Sequence, residues 1–347
     1  MSNPSKARAV AGGLAVSAAG GALFAWLHLP LPWMMGSLLA MAIAQLLGAR
    51  FEPLRGGRDA GLLVVGVTLG LYFTPPVVRE VSAFGGYFVG LGFAALGIGA
   101  ISAAVLERAA GVDHATAFFG SMPGGAAEMA MMGERYGALT DRVAFAHSMR
   151  MLLVVTLVPS AITYAGFSAT EDYRPVVVPF DALGLAALFA LAALGGILAR
   201  KLRVPTAFMM GPLVVTIALT VTEVSLSSVP AILPNMAQVI LGCVLGSKFE
   251  PGFLRAAPRF VAALVPSIAI TLGLAAFVGW AISRLSGAYL GTSLLAAAPG
   301  GIAEMAITAK VLRIGVAFVT AAHIIRYAIV VIFSIVAFRL LARRRLR

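Results

Sequence analysis

Pro123-Gly124-Gly125-Ala126-Ala127-Glu128-Met129 recurs 176 residues later as Pro299-Gly300-Gly301-Ile302-Ala303-Glu304-Met305. A histidine and an arginine follow each copy at the same distance: His147 and Arg150, then His323 and Arg326. Eleven of the 28 positions from Pro123 to Arg150 are identical to those from Pro299 to Arg326, which marks a duplication rather than biased composition. Proline lacks an N–H, and the two glycines can take positive φ. A helix should therefore stop at each copy and another start. Both copies lie in apolar sequence, and that context decides the fold.

The chain of 347 residues is 60% hydrophobic and 12% charged, with a mean hydropathy of +0.97. A soluble domain of this size is nearer one quarter charged, and few stretches here lack a membrane-length apolar run. The composition predicts an all-α polytopic membrane protein. The single Cys243 excludes intrachain disulfides and CxxC metal sites. The net charge of +12 does not indicate nucleic-acid binding, because the basic residues sit in short loops and in the tail Arg343-Arg344-Arg345-Leu346-Arg347 and no recognition module is visible. Lys6 and Arg8 precede an apolar run from Ala9 to Leu27, which reads as a retained first helix rather than a cleaved signal.

Apolar segments fall at 9–27, 32–48, 60–74, 82–106, a broken 114–135, and 142–165. They recur at 182–199, 206–222, 235–249, 259–284, a broken 289–312, and 316–340. Gly20-Gly21 matches Gly195-Gly196, Met34-Met35-Gly36 matches Met209-Met210-Gly211, Gly66 and Gly70 match Gly242 and Gly246, and Thr116 matches Thr292. The division is a first membrane repeat over 1–170, a linker over 171–181, and a second repeat with a basic tail over 182–347. Loop charges set orientation. Arg50, Arg55 and Arg58 correspond to a loop holding only Glu223. Arg200, Lys201 and Arg203 correspond to an uncharged turn near His28, and Lys248, Arg255 and Arg259 correspond to Arg79 beside Glu80. The bias reverses each time, so the repeats are expected to be inverted, each with about five spanning helices and one segment that does not fully cross. The Pro-Gly-Gly segment is the candidate for a re-entrant hairpin, and the short third segment is its rival. Both termini then come out cytoplasmic.

Broken backbone at membrane depth survives only against protein or a water-filled cavity. Two breaks in inverted repeats point to a transporter site near the midplane, whereas a packing kink is the plain alternative. Pro123, Gly124, Gly125, Pro299, Gly300 and Gly301 would shape the breaks, and the helix starts after them would suit an anion. Glu128 and Glu304 would carry a proton or a cation, or else pair with Arg150 and Arg326. Arg150 and Arg326 are too deep to snorkel and need a carboxylate, a carbonyl or an anionic ligand. His147 and His323 share a helix face with these arginines and serve as an interhelical hydrogen bond or a proton relay. Glu128, His147, Glu304 and His323 are chemically able to bind a metal, but the spacing is too wide to assign one. Asp59 and Asn235 read as N-caps. Met34-Met35-Gly36 and Met209-Met210-Gly211 read as packing or as a second helix interruption. Gln45, Gln238 and Thr68 would line a path or bond between helices.

The doubled Pro-Gly-Gly-x-x-Glu-Met with its downstream His and Arg, together with Leu31-Pro32-Trp33-Met34-Met35-Gly36, resembles the AbrB-duplication family of bacterial membrane proteins over roughly 10–342. That family is distinct from the small DNA-binding regulator of the same name. Its members have carried labels such as ammonia monooxygenase and regulator of gene expression. It resembles at a distance the cation:proton antiporter and anion transporter superfamily. The resemblance implies a multi-pass protein of the bacterial inner membrane. The expected function is secondary transport of a small anionic solute coupled to H+ or a cation, with no cofactor, no nucleic-acid partner and no enzymatic step. Homo-oligomers are compatible with it. A membrane-embedded regulator or sensor without flux is the alternative, and a membrane metalloenzyme ranks behind both.

Overall fold

In a computed structural model the chain is described for residues 4–167, 178–249, 252 and 257–345. Most of the expected linker (171–177), Arg255 and the last two residues of the basic tail lie outside the described residues. The described secondary structure is helical throughout. The first half comprises α1 (Pro4–Trp26), α2 (Pro32–Leu46), α3 (Gly57–Gly70), α4 (Pro75–Ala83), α5 (Gly85–Ala110), α6 (His114–Ser121), α7 (Ala126–Glu134) and α8 (Thr140–Tyr164). The second half repeats the order in α9 (Ala182–Lys201), α10 (Ala207–Val221), α11 (Ile232–Gly246), α12 (Pro258–Ser286), α13 (Leu290–Ala297), α14 (Ile302–Leu312) and α15 (Val316–Arg345).

The duplication extends to the backbone. Left-handed residues recur at matching positions: Leu31 (φ 46) with Thr206 (φ 47), His28 (φ 54) with Arg203 (φ 57), Gly111 (φ 66) with Gly287 (φ 74), and Gly137 (φ 78) with Arg313 (φ 55). Such conformations are costly for residues with a Cβ, so their recurrence reflects inherited loop geometry. Met34-Met35-Gly36 turns out to be both an interruption and a packing element. Pro32–Gly36 is a π-turn at the head of α2, with Met34, Met35 and Gly36 buried.

Among the described residues, six helices are long and apolar enough to cross a membrane: Lys6–Trp26, α5, α8, α9, α12 and Val316–Ala342. At 1.5 Å per residue the shortest of these spans about 30 Å, the thickness of the hydrocarbon core. α3 and α4 together also pass, bent by 93°. The protein is an all-α, multi-pass membrane protein. α6 and α7 are eight and nine residues long, and neither alone spans more than about 14 Å.

The chain forms two compact units, and each draws on both halves of the duplication. The first comprises Met1–Ser82, Ser168–Pro251 and Ala306–Ala317. In it α3 packs on α10 and α11 on α2, through matching glycines. A Cβ on Gly66 would stand 2.6 Å from the Met209 carbonyl oxygen, and one on Gly242 would stand 2.8 Å from that of Met34. Each repeat thus gives the other the same contact, as a pseudo-twofold relation requires. Without a hydrophobic drive between helices in lipid, such small-residue approaches supply the packing. The two N-cap assignments do not hold. α3 begins at Gly57, so Asp59 lies inside its first turn and pairs with Arg200 at 3.0 Å, while Asn235 lies within α11. Gln45 donates to the Phe51 carbonyl at 2.9 Å, and Thr68 bonds back to Val64 at 2.8 Å.

The second unit comprises Ala83–Phe167, Gly252–Met305 and Phe318–Arg347. α5 lies along α12, where Ser102 and Thr271 hydroxyls meet at 2.6 Å and Ser267 donates to the Ser102 carbonyl at 3.0 Å. Phe118, Phe119, Met122, Met129, Val143, Val330 and Phe338 form its core. This packing fixes the short helices α6 and α7 against α8 and α15, and so positions the first break.

Candidate functional site

Between α6 and α7 the chain is extended: Met122 has φ −61 and ψ 134, and Gly125 has φ −72 and ψ 139. Ala298, at the equivalent place after α13, has φ −55 and ψ 136. The glycines can take positive φ, but none of Gly124, Gly125, Gly300 and Gly301 does so. They are needed for space. A Cβ on Gly124 would stand 2.8 Å from Met129 Cε, and one on Gly300 would stand 2.7 Å from Met305 Cγ. A Cβ on Gly125 would collide with Oε2 of Glu128, and one on Gly301 with Oε2 of Glu304.

Those collisions locate the glutamates. Glu128 is the third residue of α7, and its carboxylate folds back over the N-cap Gly125. Glu304 does the same over Gly301 at the start of α14. A carboxylate at N3 turned toward the N-cap meets the free N–H groups and the positive end of the dipole. Each helix start, where a ligand anion was expected, thus has the protein's own glutamate beside it. Both glutamates are only partly buried.

The arginines serve the other side of each break. Arg150 Nη1 donates to the Met122 carbonyl at 3.0 Å and the Ser121 carbonyl at 3.3 Å, at the end of α6. Arg326 donates to the carbonyls of Ala298 and Gly300, the latter at 2.7 Å. Helix ends leave carbonyls without partners, and a cation suits the negative end of the dipole. His147 Nε2–H donates to the Phe119 carbonyl at 2.9 Å while Nδ1 accepts from Arg150 Nη2 at 2.9 Å. That pair of bonds requires a neutral imidazole with its proton on Nε2. His323 instead bonds through Nδ1 to the Val319 carbonyl at 2.9 Å. Of the partners open to Arg150 and Arg326, the structure selects carbonyls, and neither forms an ion pair with a glutamate among the described residues.

All twelve residues of the doubled motif fall in the second unit, where the two breaks face each other reciprocally. The Tyr327 hydroxyl lies 3.1 Å from where a Gly125 Cβ would be, and Met151 Cε lies 3.0 Å from where a Gly301 Cβ would be. Met151 and Tyr327 are matching positions, each following its arginine, so the last helix of each repeat covers the break of the other. Reading one position past each conserved pattern of His and Arg would have found them. Arg150 and Arg326 are 4% and 3% exposed. Nε of each, and the Ser121 hydroxyl, have no hydrogen-bond partner among the described residues. No group of three or more His, Cys, Asp or Glu side chains is gathered for a metal among them, so Glu128, His147, Glu304 and His323 do not form a ligand cluster.

The profile of the family described as "Transition state regulatory protein AbrB" matches residues 33–342. The chain is 28% identical to "Uncharacterized protein YhjN" of Bacillus subtilis (strain 168), over 94% of this chain and 92% of that protein. It is 25% identical to "Putative regulator AbrB" of Escherichia coli (strain K12), over 87% of this chain and 88% of that protein. With a profile match over nearly the whole length, which takes in both broken helices and their capping arginines, this multi-pass membrane protein belongs to the AbrB family.

Proposed function

We propose that the facing breaks form the binding site of a secondary transporter for a small anion, coupled to protons or a cation. One observation carries the proposal: Arg150 and Arg326 are both buried in the second unit, and no carboxylate pairs with either among the described residues. Two like charges away from water repel and are poorly offset by carbonyl dipoles. An anion between them relieves the repulsion and gives each free Nε–H an acceptor. A small carboxylate suits the planar guanidinium fork. Glu128 and Glu304 supply the coupling. Each is partly buried at a helix start, and protonation or cation binding there weakens its hold on the dipole and loosens the break. Loop charges support repeats of opposite orientation in a bacterial inner membrane, with both termini cytoplasmic. The function calls for no cofactor, nucleic acid or covalent step, and it is compatible with homo-oligomers.

The test is flux into proteoliposomes across a panel of labelled small organic anions. Wild type should transport at least one of them. Arg150→Gln should abolish that flux, and Glu128→Gln should uncouple it from a proton gradient. Unchanged flux in both variants would refute the assignment. The printed name of the Escherichia coli relative favours a second reading, a membrane-embedded regulator. Deleting residues 343–347 and measuring downstream expression separates the two, because a transporter keeps its flux without the tail.

A further inference from the structure

The first unit contains a cavity of about 650 Å³ that plays no part in the facing breaks. Leu71, Leu188 and Leu219 line it on the apolar side, and Lys310, Thr216 and Glu223 on the polar side. A lysine in the last turn of a helix is already favoured by the dipole, so Lys310 alone does not call for a ligand. Thr216 supplies the second observation. It is fully buried, it lines the cavity, and its hydroxyl has no hydrogen-bond partner among the described residues. A buried hydroxyl left unpaired is destabilising, and a ligand acceptor in the cavity would offset that cost. Lys310 is partly buried and has no carboxylate within ion-pair distance among the described residues. Glu223, the other charge on the wall, is exposed.

The duplication argues that this wall is built rather than inherited. The positions matching Thr216, Glu223 and Lys310 are Met41, Gly48 and Glu134. Only the second repeat carries the hydroxyl and the ammonium, and at the third position the first repeat carries the opposite charge.

We infer that this cavity binds an amphiphilic anion, with a carboxylate or phosphate on Lys310 and Thr216 and an apolar body against Leu71, Leu188 and Leu219. The volume is that of a drug-sized ligand. The same chemistry can come from a bilayer lipid headgroup or from a soluble organic anion. Full-length protein in phosphatidylcholine nanodiscs, titrated with decanoate by calorimetry, tests the site. Wild type should bind saturably. Lys310→Gln should weaken binding about tenfold or more, Lys310→Arg should restore most of it, and Thr216→Val should weaken it about three- to tenfold. Melting temperatures of the variants report folding. Replacing part of the phosphatidylcholine with phosphatidylglycerol should lower decanoate affinity in wild type but not in Lys310→Gln if the lipid is the occupant. An unchanged wild-type affinity assigns the site to soluble anions. Decanoate binding as tight in folded Lys310→Gln as in wild type would place the anion elsewhere, the paired arginines included, and would overturn the inference. So would the absence of saturable binding in wild type.

Discussion

Arg326→Met tests whether the buried arginines hold the breaks together. Arg326 supplies donors to two carbonyls at the end of α13, those of Ala298 and Gly300. Methionine keeps much of the volume and removes every donor. Each orphaned carbonyl costs about 1–3 kcal/mol, a loss of roughly 2–6 kcal/mol. Relief of the repulsion from Arg150 offsets part of it, on the order of 1–2 kcal/mol at an effective dielectric of ~20. The expected net loss is about 1–4 kcal/mol, read from SDS-induced unfolding in mixed micelles. The double variant Arg150→Met/Arg326→Met sharpens the test. Each single change already collects the relief of the shared repulsion, and the double change can collect it only once. Its loss should therefore exceed the sum of the single losses by about 1–2 kcal/mol. Stability of Arg326→Met within ~0.5 kcal/mol of wild type, or strictly additive losses, would refute the reasoning.

Gly125→Ala should push the Glu128 carboxylate off the start of α7 and cost about 1 kcal/mol; the same change on a Glu128→Ala background should cost little, as the same unfolding titration can show. Gly36→Ala drives a Cβ into the Gly20 carbonyl, and Gly211→Ala drives one into that of Gly195, so both should lose about 2 kcal/mol or more and by similar amounts. Arg313→Gly should raise the melting temperature, with a gain of about 1 kcal/mol, because Arg313 holds φ 55 where the first repeat has Gly137. Asp59→Asn should change stability by no more than ~0.5 kcal/mol, since the pair with Arg200 is exposed on both sides.

Much of the fold was legible in the chain because it depends on local or repeated features. Apolar run length sets helix length, and Pro-Gly-Gly sets where α6 and α13 end, so the expected segments lie within a few residues of the helices. The N-cap reading of Asp59 and Asn235 failed because α3 and α11 start before those residues. Backbone geometry at Gly57 and Ile232 outweighed the side-chain signal. The glycines of the two breaks sit where the helices stop, but none of them uses the positive φ that glycine allows. A pair of glycines permits positive φ, yet what excludes other residues here is the folded-back glutamate, and the sequence does not show where that side chain goes.

By itself the sequence determined the class, the duplication and the positions of the breaks, since hydropathy, helix rise and internal identity need no partner to be read. Only the tertiary structure decided who satisfies whom. Arg150 could have met Glu128, a ligand or a carbonyl, and these differ by a few ångströms of side-chain placement that 21 intervening residues leave open. The fold gave Arg150 the carbonyls ending α6, folded the Glu128 carboxylate back over Gly125 at the start of α7, and set Tyr327 and Met151 beside the opposite breaks. The gathering of both breaks into one unit, and of Lys310 and Thr216 around a cavity in the other, is also a property of the packing. Sequence spacing sets which face of a helix a residue occupies, and only the neighbouring helices set what that face meets.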